Sequence, residues 1–144
     1  MRVQEILQSK GKAVHQISPS HTLADVVALL VNFNCGSLLV TDSGKVLGII
    51  TERDILKAIH GEKQSLRELY VRDFMTQNMV TGAQGDEVGK LMGLMTVHRV
   101  RHLPILDGEQ LAGMISIGDL VKAQCDCLSA ENHQLMSYIQ GEYS

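Results

Sequence analysis

Aromatic residues are almost missing from this chain of 144 residues: it has no Trp, three Tyr and two Phe, 3% in all. That scarcity argues against a single-stranded nucleic-acid binder, which holds bases on aromatic platforms. It also leaves the core to Val, Ile, Leu, Met and Ala. Cysteine is scarce as well. Cys35, Cys125 and Cys127 are too few, and odd in number, for a disulfide framework, which points to a reducing compartment. No apolar run approaches the roughly 20 residues of a membrane span, and residues 1–14 carry no apolar segment of the secretory type. A net charge of −3 offers no global attraction to nucleic acid or anionic lipid. What is present, 44% hydrophobic and 20% charged residues, is ordinary globular composition. A soluble cytoplasmic protein, with neither membrane nor nucleic acid as partner, is the expectation.

The chain repeats itself. Gly48-Ile-Ile-Thr51-Glu-Arg-Asp54 recurs 65 positions later as Gly113-Met-Ile-Ser116-Ile-Gly-Asp119. At that offset Ser37–Ala58 aligns with His102–Ala123 without a gap, and Leu38/Leu103, Asp42/Asp107, Gly48/Gly113, Ile50/Ile115 and Asp54/Asp119 are identical pairs. Upstream, Val3–Leu7 pairs with Val71–Met75 at an offset of 68, so the first copy carries about three extra residues near Ser9–Lys12.

Both copies predict the same order of elements. A short helical turn (Val3–Leu7; Val71–Met75) precedes a brief extended segment (Ala13–Ile17; Met79–Thr81). Amphipathic helices follow at Thr22–Phe33 and Glu87–His98, with apolar residues at helical spacing. Two hairpins come next, turning at Asp42–Lys45 and Asp107–Gln110, where Asp and Gly supply the turn chemistry. Pro104 fits the start or edge of its strand. A last helix runs from about Glu52 to His60 and from about Gly118 onward. Gly61–Leu66 is the expected connection, and Gln124–Gln140, with Leu128, Leu135, Met136 and Ile139, predicts a helical tail. The expected fold is α/β (α+β): two β-α-β-β-α repeats paired about a pseudo-two-fold axis, residues 1–66 and 67–125, with a tail over residues 126–144.

The repeated motif has a chemistry. Thr51 and Ser116 end a strand and open a helix, where unpaired N–H groups and a partial positive charge suit phosphate. Asp54 and Asp119 lie one turn on, and an ionised carboxylate accepts both hydroxyls of a ribose cis-diol. Thr-x-x-Asp is equally a helix-capping pattern, and the two roles are compatible. The copies differ in charge. Glu52 and Arg53 stand where the second copy has Ile117 and Gly118, whereas Arg99, Arg101 and His102 stand where the first has Asn34, Gly36 and Ser37. A phosphate chain between the motifs would then lie near both Arg53 and Arg101; a solvated face is the alternative for Arg99 and Arg101. Leu38, Ile50, Leu103 and Ile115 are candidate walls for a base, or simply core.

At Gly48-x-x-Thr51-x-x-Asp54, Gly113-x-x-Ser116-x-x-Asp119, Asp73-Phe-Met-Thr76 and Arg101-His-Leu-Pro-Ile105 the sequence resembles the CBS-domain family, in its stand-alone tandem form, over nearly the whole chain to about residue 123. Glu131–Gly141 is similar to the ending of bacterial stand-alone members. The resemblance implies a regulatory, non-catalytic module that binds an adenine nucleotide (AMP, ADP, ATP or NAD(H)) or an adenosyl compound between the repeats. A homodimer paired through helices is the expected assembly. The resemblance further implies that the base edge is read near Val14–Gln16 and Val80–Thr81. The candidate ligand residues are Gln16, Ser37, Leu38, Thr51, Glu52, Arg53, Asp54, Val80, Thr81, Arg99, Arg101, His102, Leu103, Pro104, Ser116, Ile117, Gly118 and Asp119. The alternatives are an adaptor with an empty cleft, and a redox- or metal-responsive regulator acting through Cys125 and Cys127. Cys-x-Cys with the distant His133 falls short of the four ligands of a structural zinc site. No nucleophile elbow, P-loop or His-Glu-x-x-His motif occurs.

Overall fold

The computed structural model describes residues 1–11 and 13–139, with side chains to residue 134. Helix α1 (Val3–Lys10) opens the chain, and β1 (Gln16–Ile17), α2 (Leu23–Phe33), β2 (Ser37–Asp42), β3 (Lys45–Thr51) and α3 (Glu52–Gly61) make the first repeat. Helix α4 (Val71–Phe74) opens the second, followed by β4 (Gly82–Ala83), α5 (Val88–His98), β5 (His102–Asp107), β6 (Gln110–Ser116) and α6 (Ile117–Ile139). The strands form two three-stranded sheets, ordered β1-β2-β3 and β4-β5-β6. In each, the short first strand runs parallel to the middle one and the hairpin is antiparallel. The sheets meet where β3 lies against β6. The expected tail is a continuation of α6 as far as Ile139; the side chains of Leu135, Met136 and Ile139 lie outside the described residues.

Local chemistry accounts for the element boundaries. Thr22 caps α2 through a reciprocal pair: the Asp25 N–H donates to Thr22 Oγ1 (3.3 Å) and the Thr22 N–H to Asp25 Oδ2 (3.1 Å). Such a cap contributes about 1 kcal/mol. Helices α2 and α5 both end on a left-handed residue, Asn34 (φ 51°) and Arg99 (φ 55°). The first hairpin turns on Ser43 (φ 52°) and Gly44 (φ 81°), the two positive φ values that match the strand twist. Even the β-bulges repeat, between Val40 and Thr41 and, 65 positions on, between Ile105 and Leu106.

Two expectations are corrected. Pro104 sits inside β5, the middle strand of its sheet, opposite Met114. Met79–Thr81 does not form the second parallel strand, which is instead Gly82–Ala83. The two corrections share a cause. In the first sheet the Leu39 N–H donates to the His15 carbonyl (3.1 Å), opening the β1–β2 ladder. Pro104 occupies the position of Leu39 and has no N–H to give. The second ladder therefore starts one residue later, and Val80, in the place of His15, lacks that donor.

There are two aliphatic cores, and each copy completes the other's. Val3, Ile6 and Leu7 of α1 are buried with the β4-β5-β6 core, among Val88, Leu91, Leu103 and Leu120. Leu69 and Val71, beside and within α4, are buried with the β1-β2-β3 core, among Leu23, Leu38 and Ile50. Backbone bonds fix the exchange: Val3 N–H to Asp86 O (2.9 Å) and Val88 N–H to Met1 O (3.0 Å) on one side, Val71 N–H to His21 O (2.9 Å) and Leu23 N–H to Leu69 O (2.8 Å) on the other.

Candidate functional site

Thr51 is at once the last residue of β3 and the N-cap of α3. Its N–H and hydroxyl both donate to Asp54 Oδ2, at 2.9 and 3.2 Å, and the Asp54 N–H donates to Thr51 Oγ1 at 3.4 Å. Capping thus engages one carboxylate oxygen. The other, Oδ1, meets only the Thr76 hydroxyl at 3.5 Å among the described hydrogen bonds. Gly48 makes this approach feasible. The Ile49 and Thr76 backbones exchange two hydrogen bonds (3.0 and 2.8 Å), and a Cβ on Gly48 would stand 2.6 Å from the Thr76 carbonyl oxygen.

A cavity of about 530 Å³ opens at this helix head, between the repeats. Small-molecule pockets run to about 300–1,000 Å³. Of the residues expected from the sequence, Thr51, Glu52, Arg53, Asp54, Val80, Arg99, Arg101, His102 and Pro104 line it. Arg53 and Arg101, from different repeats, thus share one cavity. Lys57 joins them, three residues after Asp54 and on the same face of α3; that spacing was a usable signal. Thr76, Asn78, Met79 and Val100 also contribute, from segments without periodicity.

The remaining expected residues lie elsewhere. Leu38, Ile50, Leu103 and Ile115 are fully buried in the cores, so none is a cavity wall. The aliphatic wall on β3 is Ile49, one residue along and on the opposite sheet face. Ser37 is buried and its carbonyl accepts the Cys35 thiol (3.6 Å). Gln16 accepts from the Thr41 hydroxyl (2.9 Å). Thr81 is exposed outside the lining. Ser116, Ile117, Gly118 and Asp119 form the head of α6 and do not line the cavity.

At that second helix head the capping geometry recurs. The Ser116 N–H donates to Asp119 Oδ2 (2.8 Å) and the Asp119 N–H to Ser116 Oγ (3.1 Å). The surroundings differ: Lys10 Nζ, from the last turn of α1, donates to Asp119 Oδ2 at 2.6 Å. Burial pushes the Asp119 carboxyl up, but the hydrogen bonds from Lys10 and Ser116 outweigh it and hold the group below the usual carboxylate range. His102 stands between the two heads, close to Glu52 over Gly36. Burial, reinforced by Lys10, holds its imidazole below the ordinary histidine value against the pull of Asp119 and Glu52.

The cavity is electrostatically one-sided. Four cations, Arg53, Lys57, Arg99 and Arg101, face two carboxylates, Glu52 and Asp54. Among the described residues, none of the four has a carboxylate within 4.0 Å. Arg99 holds a left-handed backbone, a conformation that costs a non-glycine residue roughly 1–2 kcal/mol. Cys125, Cys127 and His133 lie on α6, and among the described residues no three His, Cys, Asp or Glu side chains form a metal-sized cluster. No described helix is long and apolar enough to cross a membrane.

Comparison with known proteins agrees with this architecture. The CBS domain model matches twice, over residues 4–61 and 71–126. The mitochondrial CBS domain-containing protein CBSX3 of Arabidopsis thaliana is 34% identical over 150 residues, covering 98% of this chain and 73% of its own. The crystal structure of a CBS-domain containing protein from Agrobacterium tumefaciens superposes with a TM-score of 0.82 at 38% identity, over 86% of this chain and 99% of that one. A CBS domain protein from Pyrobaculum aerophilum, complexed with AMP, shares the fold at a TM-score of 0.73 and 22% identity, over 83% and 89% of the two chains. With its two matched repeats, its exchanged leader helices and its capped Thr-x-x-Asp and Ser-x-x-Asp helix heads, the chain belongs to the CBS domain family.

Proposed function

We propose that the chain is a regulatory module that binds an adenine nucleotide in the cavity at the head of α3, and that it is not an enzyme. The observation that carries this is the set of four cations around a concave site, none with a carboxylate within 4.0 Å among the described residues, in a chain whose net charge is −3. An anionic ligand complements them. Arg53 and Arg101 take its phosphates from opposite repeats, with Lys57 and Arg99 beside them. Asp54, with one oxygen engaged in capping and the other turned to Thr76, accepts the ribose hydroxyls. Ile49, Met79, Val80 and Pro104 wall the base, and the Val80 carbonyl, which gains no N–H from Pro104, accepts the exocyclic amine of adenine. The AMP found with the Pyrobaculum aerophilum protein supports this class. AMP, ADP, ATP and NAD(H) are the ligands proposed.

The proposal extends to assembly and place. Exposed Val31, Phe33, Leu56 and Ile59 on α2 and α3, and Val97, Val121 and Leu128 on α5 and α6, support pairing with a second copy through helices. The free thiols of Cys35, Cys125 and Cys127 support a reducing, cytoplasmic setting.

Isothermal titration with AMP, ATP and NADH tests the site. Asp54→Ala is expected to weaken binding at least tenfold while the melting temperature without ligand shifts by only a few degrees, since a lost cap costs about 1 kcal/mol. Unchanged affinity in Asp54→Ala removes the ribose assignment. An absence of heat with all three ligands favours an adaptor with an empty cleft.

A further inference from the structure

The cavity at the head of α3 is lined by fixed charges and by one side chain whose charge is not fixed. Among the described residues lining it, His102 alone is of a type that titrates near neutrality. Strand register sets its place. His102 opens β5 and pairs with Ser116, at the head of α6, while it lines the cavity at the head of α3. A Cβ added at Gly36 would stand 3.1 Å from Glu52 Oε1 and 3.7 Å from His102 Cε1, so the carboxylate and the imidazole flank one gap. The equivalent residue of the first copy is Ser37, buried and without charge. The strand position that meets the cavity thus carries a titratable ring, and its counterpart does not.

The ring is free to change its charge. Among the described hydrogen bonds none engages its nitrogens, and neither nitrogen is buried without a partner, so both are open to ligand or water. Four charged groups act on it: Lys10 from α1, Asp119 from α6, Glu52 from α3, and Arg101 beside it in the chain. Lys10 and Arg101 oppose another positive charge, Asp119 and Glu52 favour one, and burial tips the balance to the neutral form. A phosphate held by Arg53 and Arg101 brings negative charge into this same cavity, and a nearby opposite charge favours the protonated imidazole. The imidazolium in turn offers a charge-assisted N–H to a phosphate oxygen. A fixed cation here would instead stand permanently beside Arg101 when no ligand is bound.

We propose that His102 makes this cavity selective for adenine ligands that carry phosphate over the bare nucleoside, by taking one proton from solvent as the phosphate enters and donating it to a phosphate oxygen in a hydrogen bond. This rests on the nucleotide site proposed above. No covalent bond forms, and the proton returns to solvent on release. Because the imidazole lies below its ordinary value in the free chain and is raised by the ligand, binding takes up a proton. AMP affinity therefore rises as pH falls through the interval between the two states, by at most about tenfold per pH unit for one coupled proton. Below about pH 6 the phosphate of AMP gains a proton of its own, which places the effect of His102 between about pH 6.5 and 8.

Isothermal titration of the whole chain with AMP and with adenosine, each in two buffers of different ionisation enthalpy, counts the protons. Near neutral pH the wild type is expected to take up a large fraction of one proton with AMP and none with adenosine, and to bind adenosine more weakly. Its AMP affinity is expected to rise severalfold from about pH 8 to about pH 6.5. His102→Gln and His102→Asn keep a neutral polar side chain. Each is expected to bind AMP more weakly, without the uptake and with an affinity level across that range, while thermal melting shows a folded chain. No uptake with AMP in the wild type overturns the proposal, a measurement that needs no variant. Uptake that persists in a folded His102 variant overturns it by moving the proton to another group, such as Glu52. Adenosine bound as tightly as AMP overturns it as well. In all three cases AMP binding that is weakened by Asp54→Ala leaves the nucleotide site standing. No heat with either ligand overturns both.

Discussion

Arg99 shows most plainly that a residue can be kept against local preference. Its structural counterpart at the end of α2, Asn34, takes the same left-handed backbone with a side chain suited to it. Arginine has no such suitability, yet Arg99 holds φ 55° and its side chain lines the cavity. Backbone strain of this kind persists where something else requires the residue. Arg99→Asn is therefore expected to raise stability by up to about 1 kcal/mol in urea denaturation while lowering nucleotide affinity severalfold. A variant that gains stability and binds as tightly as wild type would show that Arg99 only caps the helix.

At the scale of the element, Pro104 governs more than its own position. By withholding one N–H it shortens β4 and leaves Met79 and Val80 outside the ladder, where they line the cavity. Pro104→Val restores the donor. The expected result is a β4 that starts one residue earlier, seen as a newly protected amide at position 104 in hydrogen exchange, together with a loss of nucleotide affinity of about tenfold as the Val80 carbonyl is taken up. Affinity unchanged despite the new protection would remove Val80 from base recognition. The same strand marks how far the sequence carried. The 65-residue offset made both hairpins, both long helices and both helix heads legible, because each rests on local turn and capping chemistry at fixed spacing. The start of β4 was not legible, because it depends on a missing bond across strands. Alternation puts Ile49 and Ile50 on opposite sheet faces without saying which face meets a cavity. The contact of Lys10 with Asp119 joins residues 109 apart, and nothing local announces it.

The exchange of α1 and α4 decides how the whole molecule holds together. An apolar stripe such as Val3, Ile6 and Leu7 fits either of two similar cores, so periodicity did not assign it; the backbone bonds to Gln84 and Asp86 do. Each repeat therefore finishes its core with a segment that belongs, in sequence order, to the other. Such a molecule should unfold as one cooperative unit, since melting either repeat strips the other of its leader. Leu7→Ala tests this away from the cavity. It removes a buried side chain of the second core, at a cost of about 2–5 kcal/mol for a large-to-small change. The midpoint in urea should fall accordingly, and the circular dichroism signal and the mobility of the chain should still change together in a single transition. Two separated transitions, with the first repeat surviving the second, would mean that the leaders lie on cores that stand without them, and the two copies would then be independent domains. A single displaced transition makes the pair the smallest folding unit, and it ties the cleft at the head of α3 to the packing of a helix from the other end of the repeat.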